Sequence, residues 1–376
     1  MKILFLEQFG ETGGGQRCLL DLLPAIRERS WSATVAAPAG PLLDLARAGS
    51  VGTTAICMGT YRNGHKSVRD TLAFALHTAQ LARWIAARDA DLIYVNAPRP
   101  LVAAALGSRG RPVIFHAHHF LEQGAAARVA RWAIRRARAT VIANSRHVAG
   151  QYSGERLHVI YNGVNPIPFM RKTFAPGGCW RIGVIGRIAP MKGQTDFLCA
   201  AAAIVAERAA HFLICGEPMF SQPDYCNEVR RLAEGLPVEF PGWREDMAVV
   251  LAGLDLLIVP STAAESTTRV ILEAWSAGVP VVAYAAGGIP EIVRDSVDGF
   301  LVPECEPGAL ARKILEVTRL DLAPVAERAR VHFERGFTLD RWQQQVTSVI
   351  SACVSTTADS NPAWERKAAR AARRAS

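Results

Sequence analysis

Short apolar runs recur along this chain, each followed by a turn signal or a helix start. Up to Phe115 they read KILFLEQ, SATVAAP, TTAIC, DLIYVN and PVIFHA, and ATVIANS and HVIYNGV follow. A second series begins at Trp180 with RIGVIGR, HFLICGE, PVEFPG, LDLLIVPS, GVPVVAY and GFLVP. Brief aliphatic runs alternating with helix-like segments are the pattern of βα units around a parallel sheet. Two successive series predict two doubly wound α/β domains, and a length of 376 residues is ample for two cores. The proline-bearing stretch NPIPFMRKTFAPGG separates the series. The reading divides the chain into a domain at 1–168, a linker at 169–179, a second domain at 180–336, a terminal helix at 337–355 and a basic tail at 356–376 expected to be disordered.

Composition narrows the class. Half of the residues are hydrophobic, yet no apolar run is long enough for a membrane span. MKILFLEQF is too short, and too soon interrupted by Glu7, for a signal peptide; it reads as a first buried strand. The eight cysteines contain no Cys-x-x-Cys pair, which argues for reduced thiols in a cytoplasm and against a zinc site.

Charge is uneven. Residues 1–168 carry 20 basic against 10 acidic side chains, residues 169–356 carry 18 against 22, and the tail adds 5 against 2. A positive first domain attracts an anionic partner. The sharpest cluster is RVARWAIRRARA, where Arg128, Arg131 and Arg135 share a helix face beside Trp132 and Arg136. Such a face suits an anionic membrane surface, and an ordinary solvated face has the same pattern. A nucleic-acid partner is not expected, because no recognised module or aromatic-interleaved basic stripe accompanies the cluster.

The most informative stretch runs from Ala264 to Pro303. Glu265 and Glu273 flank a loop-to-helix junction, an apolar strand follows, and Gly287-Gly288 opens a second helix over GGIPEIV. A loop ending at a helix N-terminus offers free N–H groups and the positive end of a dipole, a seat for phosphate. Carboxylates on either side of a phosphate accept hydrogen bonds from hydroxyl-rich groups, which describes a nucleotide-sugar. In GRIAPMKG, Arg187 and Lys192 stand five residues apart and can straddle a diphosphate, one as a fork and one as a point charge. Gly13-Gly14-Gly15 follows the first strand and lets backbone approach a ligand, but its register does not fit the nicotinamide Gly-x-Gly-x-x-Gly turn. His116, His118 and His119 end the strand PVIF without a carboxylate or cysteine to complete a metal site. Asp89-Ala-Asp91 is more simply a helix-to-strand turn than a metal-binding pair.

The stretch from Glu265 resembles the donor-site signature of the retaining glycosyltransferases of family 4. The matching elements are Glu265, Glu273-Ala274, Ala277-Gly278, Pro280 to Ala283, Gly287 to Glu291 and Gly299 to Val302, and the likeness extends to about residue 350. It implies the GT-B fold, two Rossmann-like doubly wound domains facing each other across a cleft, with the terminal helix crossing back to the first. It also implies transfer of a sugar from a UDP- or GDP-sugar to an acceptor hydroxyl, without metal or other cofactor. In the family, Arg187 and Lys192 would neutralise the leaving diphosphate, Glu265 hold sugar hydroxyls and Glu273 the ribose. His118 would contact the donor sugar, and Gly13, Gly14 and Gly15 would face the diphosphate. The implied acceptor is a lipid-linked or polysaccharide glycan of the cell envelope, reached from the cytoplasm, with peripheral membrane contact at Arg128, Arg131, Trp132, Arg135 and Arg136. Thr267 and Thr268 stand where the family has Phe-Gly; threonine keeps the backbone N–H but adopts positive φ at a cost. A nucleotide-sugar epimerase of the same fold and a catalytically silent binding protein remain as alternatives.

Overall fold

A computed structural model describes residues 1–58, 68–121, 124–154, 156–170, 178–218, 223–262 and 266–360. Glu265 and most of the basic tail therefore lie outside the described residues. The chain forms two compact units.

The first unit alternates β1 (Lys2–Leu6), α1 (Gly14–Glu28), β2 (Ser32–Ala37), α2 (Pro41–Ala48), β3 (Gly52–Ala55), α3 (Val68–Ala86), β4 (Leu92–Val95), α4 (Leu101–Gly107), β5 (Val113–Ala117), α5 (Ala125–Ala137), β6 (Thr140–Ala143), α6 (Arg146–Ala149) and β7 (Leu157–Val159). Within this run, Ser145 to His147 group with the second unit. The strands pair in parallel in the order β3-β2-β1-β4-β5-β6-β7. The central strands β4, β5 and β6 are buried throughout, while the edge strand β3 is half-exposed. Helices cover both faces of such a sheet, so central strands read as continuous apolar runs and edges do not.

The second unit contains β8 (Trp180–Ile185), α7 (Gln194–Val205), β9 (Ala210–Cys215), α8 (Pro223–Leu232), β10 (Val238–Gly242), α9 (Met247–Ala252), β11 (Leu256–Val259), α10 (Arg269–Ala277), β12 (Val281–Tyr284), β13 (Phe300–Val302), α11 (Pro307–Val317) and α12 (Ala323–Gly336). Its sheet is again all parallel, in the order β10-β9-β8-β11-β12-β13. A final helix, α13 (Leu339–Ser360), supplies its first residues to this unit and the rest to the first, where Gln343 Nε2 donates to Asp21 O at 2.5 Å.

Several local readings change. The boundary falls after Ile160 rather than near 168, because the stretch from Tyr161 is fastened to the second unit. Val164 N donates to Phe337 O at 3.1 Å and Leu339 N to Val164 O at 2.9 Å. Ile167 N donates to Ser276 Oγ at 2.6 Å, and Arg330 Nη1 to Ile167 O at 2.9 Å. The glycine triple is not a loop: Gly13 caps α1, and Gly14 and Gly15 form its first turn. The segment after Gly287-Gly288 is a single 3₁₀ turn, Ile289–Glu291, with Pro290 inside it. The terminal helix begins at Leu339 and runs on to Ser360.

In the middle of the first sheet, Tyr94 OH and His116 Nδ1 lie 2.7 Å apart and both residues are buried. Burial pulls the His116 pKa down to about 3, so the folded protein holds this ring neutral while the unfolded chain titrates it near 6.5. The contribution is complete above about pH 6.5 and is lost as pH falls towards about 3. Between pH 7 and pH 5, His116→Gln should gain about 2 kcal/mol on the wild type. Urea midpoints of both proteins at the two pH values measure this, and an unchanged difference would contradict it.

Candidate functional site

Each sheet has one place where the chain order reverses. In the first unit the strands run outward from β1 through β2 to β3 and resume at β4 on the other side of β1. In the second the reversal lies between β8 and β11. Loops leaving the carboxyl ends of the two central strands diverge there and open a crevice. The chemistry-bearing residues gather at these two places.

In the first unit, Leu6 pairs with Val95, so Glu7 and Asn96 emerge side by side. Glu7 is fully buried. Its Oε2 accepts from Asn96 Nδ2 at 2.6 Å, and its Oε1 accepts from the backbone N–H of Gln8 at 2.6 Å and of Phe9 at 3.2 Å. Burial raises its pKa, and bonds from Asn96, Gln16, Gln8 and Phe9 oppose that rise. Asn96 Nδ2 also donates to Gly15 O at 3.0 Å, and Asn96 Oδ1 lies 2.9 Å from His118 Nε2. The His118 ring rests on Gly15: a Cβ there would stand 3.3 Å from His118 Cδ2. A side chain there would press on the ring, which would have to give by a few tenths of an ångström. Gly13 N donates to Gln16 Oε1 at 3.0 Å, closing the first turn of α1. His116 and His118 stack with ring centroids 4.0 Å apart, and Asn144 Nδ2 donates to His118 O at 3.2 Å.

In the second unit, the loop after β8 carries Arg187 and Lys192, both half-buried. Gln194, fully buried, pins the loop: its Nε2 donates to Arg187 O at 2.8 Å, and its Oε1 accepts from Tyr225 OH at 3.3 Å. Gly193 precedes α7 at φ +68, where any Cβ would strike the carbonyl oxygen of Pro260. The cation loop, the end of β11 and the start of α7 are thereby held together. Arg187 Nη2 also reaches Met191 Sδ at 3.1 Å.

Thr267 and Thr268 are buried, and Asn162 Nδ2 donates to Thr267 O at 3.3 Å. Thr268 caps α10 in an extended conformation, φ −81 and ψ 130, so positive φ is not required of it. Its side chain makes no cap bond, which leaves the first N–H groups of α10 without that partner. Glu273 lies just over one turn into α10 and is half-buried. Gly288 abuts this loop: a Cβ would stand 2.5 Å from Ser266 O. Glu291 accepts from the backbone N–H of Arg146 and His147, each at 2.6 Å, and from Tyr161 OH at 2.9 Å. Burial, then the bond and charge of Glu291, push the Tyr161 pKa up to about 12.

Gly15 and His118 meet in the first unit, and in the second the loop with Arg187 and Lys192 leaves β8, the neighbour of β11, whose following segment carries Thr267, Thr268 and Glu273. Glu7, Asn96, Gln194 and Glu291 were not singled out as site residues by pattern. A polar residue closing an otherwise apolar strand, as in KILFLEQ and DLIYVN, was the available signal for the first two. Asp89 and Asp91 stand at the opposite, amino-terminal end of the sheet, where Lys2 Nζ meets Asp89 at 2.6 Å and Lys2 N donates to Asp91 at 2.8 Å. Among the described residues, no three His, Cys, Asp or Glu side chains are grouped as a metal site would need.

Helix α5 buries Ala127, Ala130 and Ala133. It exposes Arg128, Arg135, Arg136 and Trp132, with Arg131 half-buried beside them. No helix among the described residues is long and apolar enough to cross a membrane.

Comparison with known proteins agrees with this geometry. Residues 12–167 match the family described as Glycosyltransferase Family 4, and residues 180–319 match Glycosyl transferases group 1. The chain is 35% identical over 199 residues to the D-inositol 3-phosphate glycosyltransferase of Mycolicibacterium smegmatis, covering 50% of this chain and 43% of that one. It is 33% identical over 125 residues to the putative colanic acid biosynthesis glycosyltransferase WcaL of Escherichia coli, covering 31% of each. The matched stretch thus spans less than half of these relatives. The crystal structure of Anabaena HepE in complex with UDP and glucose superposes with a TM-score of 0.79 at 29% identity, covering 93% of this chain and 99% of that one. Two Rossmann-like units, with the two family matches falling one on each, identify the chain as a member of the family 4, group 1 glycosyltransferases of GT-B fold.

Proposed function

We propose that this protein is a retaining glycosyltransferase that moves a sugar from a nucleoside-diphosphate sugar, a UDP-sugar in the first instance, to an acceptor hydroxyl. The observation that carries the reading is the pinned cation loop beside the switch point of the second unit. As the bond from the anomeric carbon to the diphosphate oxygen breaks, the sugar becomes oxocarbenium-like and negative charge collects on the leaving group. Fixed donors aimed at that charge lower the barrier without reorganising. Arg187, Lys192 and the N–H groups opening α10 are such donors, and Gln194 keeps the loop from relaxing. Glu273 is assigned to the ribose, His118 to the donor sugar, and Glu265 to the sugar hydroxyls on the family resemblance alone. The complex of HepE with UDP and glucose favours a uridine donor over a guanosine one.

The acceptor follows from the surface of the first unit. The exposed arginines of α5 beside Trp132 suit an anionic leaflet, each basic residue contributing on the order of 1 kcal/mol. A lipid-linked or polysaccharide glycan of the cell envelope, met at the cytoplasmic membrane face, fits that surface, and the name of the WcaL relative points the same way.

Three outcomes test these assignments. Arg187→Ala or Lys192→Ala should lower turnover of the donor roughly 100-fold or more, the scale of losing one charge-stabilising group; activity within a few fold of wild type in both would remove the diphosphate role. Donor hydrolysis should persist in excess EDTA, whereas its abolition with rescue by manganese or magnesium would overturn the metal-independent reading. The protein should bind vesicles containing anionic lipid in a salt-sensitive way and leave neutral ones alone. Exchanging Arg131, Arg135 and Arg136 for Glu should release it with donor hydrolysis intact, and indifference of the wild type to anionic vesicles at low salt would count against the membrane.

A further inference from the structure

We propose that Glu7 and Asn96 are positioning residues that hold the His118 imidazole in one orientation and keep a proton on Nε2. The proposal rests on the reading of His118 as a contact of the donor sugar.

Hydrogen-bond direction fixes the ring proton. A primary amide has two donors on its nitrogen and only acceptor capacity on its oxygen. The Asn96 nitrogen site lies 2.6 Å from Glu7 Oε2 and 3.0 Å from Gly15 O, and both of those are acceptors. The nitrogen must therefore be where it is, and the oxygen is what faces His118 Nε2 at 2.9 Å. An acceptor there requires N–H on the ring. The other end of the chain is anchored to the backbone. Glu7 Oε1 takes the N–H groups of Gln8 and Phe9, so the carboxylate presents Oε2, an acceptor, to Asn96. The parallel pairing of Leu6 with Val95 sets Glu7 and Asn96 next to each other, and Gly15 gives the ring a flat seat.

Two neighbouring histidines have their own places. His116 stacks on it at 4.0 Å but is kept neutral by burial and is engaged with Tyr94. His119 stands further off, with ring centroids 6.3 Å apart. Glu7 acts only through Asn96. A carboxylate buried in neutral surroundings is costly unless its lone pairs are filled. Here the bonds from Gln8 and Phe9 fill one oxygen and the bond from Asn96 the other, with Gln16 as a further donor.

Glu7→Gln reverses the polarity. The backbone N–H groups hold the oxygen of the substituted side chain at one site, which puts its NH₂ against the NH₂ of Asn96. Relief comes when Asn96 turns over, which gives up its bond to Gly15 O but presents a donor to His118 Nε2 and drives the ring proton to Nδ1. Adding Asn96→Asp moves the carboxylate one place along the chain: the introduced amide donates to the introduced carboxylate, which again accepts from Nε2–H, with the bond to Gly15 O still missing and only part of the activity regained.

Long-range ¹H–¹⁵N spectra of histidine-labelled protein, assigned with His118→Gln, read the tautomer directly, and steady-state kinetics read its consequence. The wild type should show Nε2–H. E7Q should shift His118 to Nδ1–H with kcat down about 10-fold, the loss of one oriented hydrogen bond. The double variant E7Q/N96D should restore the tautomer and recover part of kcat, which a merely structural role for Glu7 would not do. A wild-type proton on Nδ1 overturns the proposal even where a variant fails to fold. So does an unchanged tautomer in folded E7Q, or a folded double variant no better than E7Q. Full activity of His118→Ala would instead remove the donor-sugar reading, and it is seen in the kinetics independently of the spectrum.

Discussion

Parallel strands force the chain to return to the same end of the sheet after every strand. All carboxyl ends therefore lie along one edge, and an open sheet filled outward from its middle must reverse its order once. At β1/β4 and at β8/β11 that reversal separates two neighbouring loops, and no helix can lie across the gap. Backbone N–H groups and side chains at the strand ends are then exposed to a ligand without any need to unfold a packed layer. The position of Glu7 and Asn96, and that of Arg187 and Lys192, are consequences of this one constraint. Each sheet solves it with different chemistry.

The first unit places a negative charge in its crevice and hides it. Glu7 is surrounded by neutral donors rather than a cation, so the charge is spent on orienting Asn96 and, through it, His118. The second unit places positive charge in its crevice and leaves it half-open. Gln194, with no charge of its own, supplies the rigidity there by bridging Arg187 O and Tyr225. In both units the group proposed to meet a ligand has a buried amide beside it: Asn96 at His118 and Gln194 at the carbonyl of Arg187. An amide offers donors on one side and an acceptor on the other, and so transmits direction without adding charge.

This division explains which features were legible in sequence. The strands were, because central parallel strands are buried on both faces and become unbroken apolar runs. The cation loop and α10 were, because helix N-termini, glycines and paired cations leave short-range signatures. Glu7 and Asn96 were not, because what joins them is register between β1 and β4, 89 residues apart in sequence. A lone polar residue at the end of an apolar strand does not reveal its partner. The unit boundary moved for a related reason. Ile167 looks like linker until Ser276 and Arg330 are seen to hold its N–H and its carbonyl. The segment after Gly288 makes only a single 3₁₀ turn, Ile289–Glu291, and its length has no signature in the residue pattern.

The charge of the first unit is the remaining puzzle of composition, and its location resolves it. One basic residue, Arg99, stands beside the crevice, its N–H donating to Gln8 Oε1 and its guanidinium over the Phe9 ring. The densest basic cluster lies on α5, whose buried alanines leave Arg128, Arg135 and Arg136 exposed. A cationic crevice would attract the donor's phosphates to the unit assigned to the acceptor, and would compete with Arg187 and Lys192 for them. Cations on a helix away from Arg187 and Lys192 would keep apart the two proposed tasks: long-range attraction to an anionic surface, which falls off within a Debye length, and short-range stabilisation of a leaving group, which works only at contact.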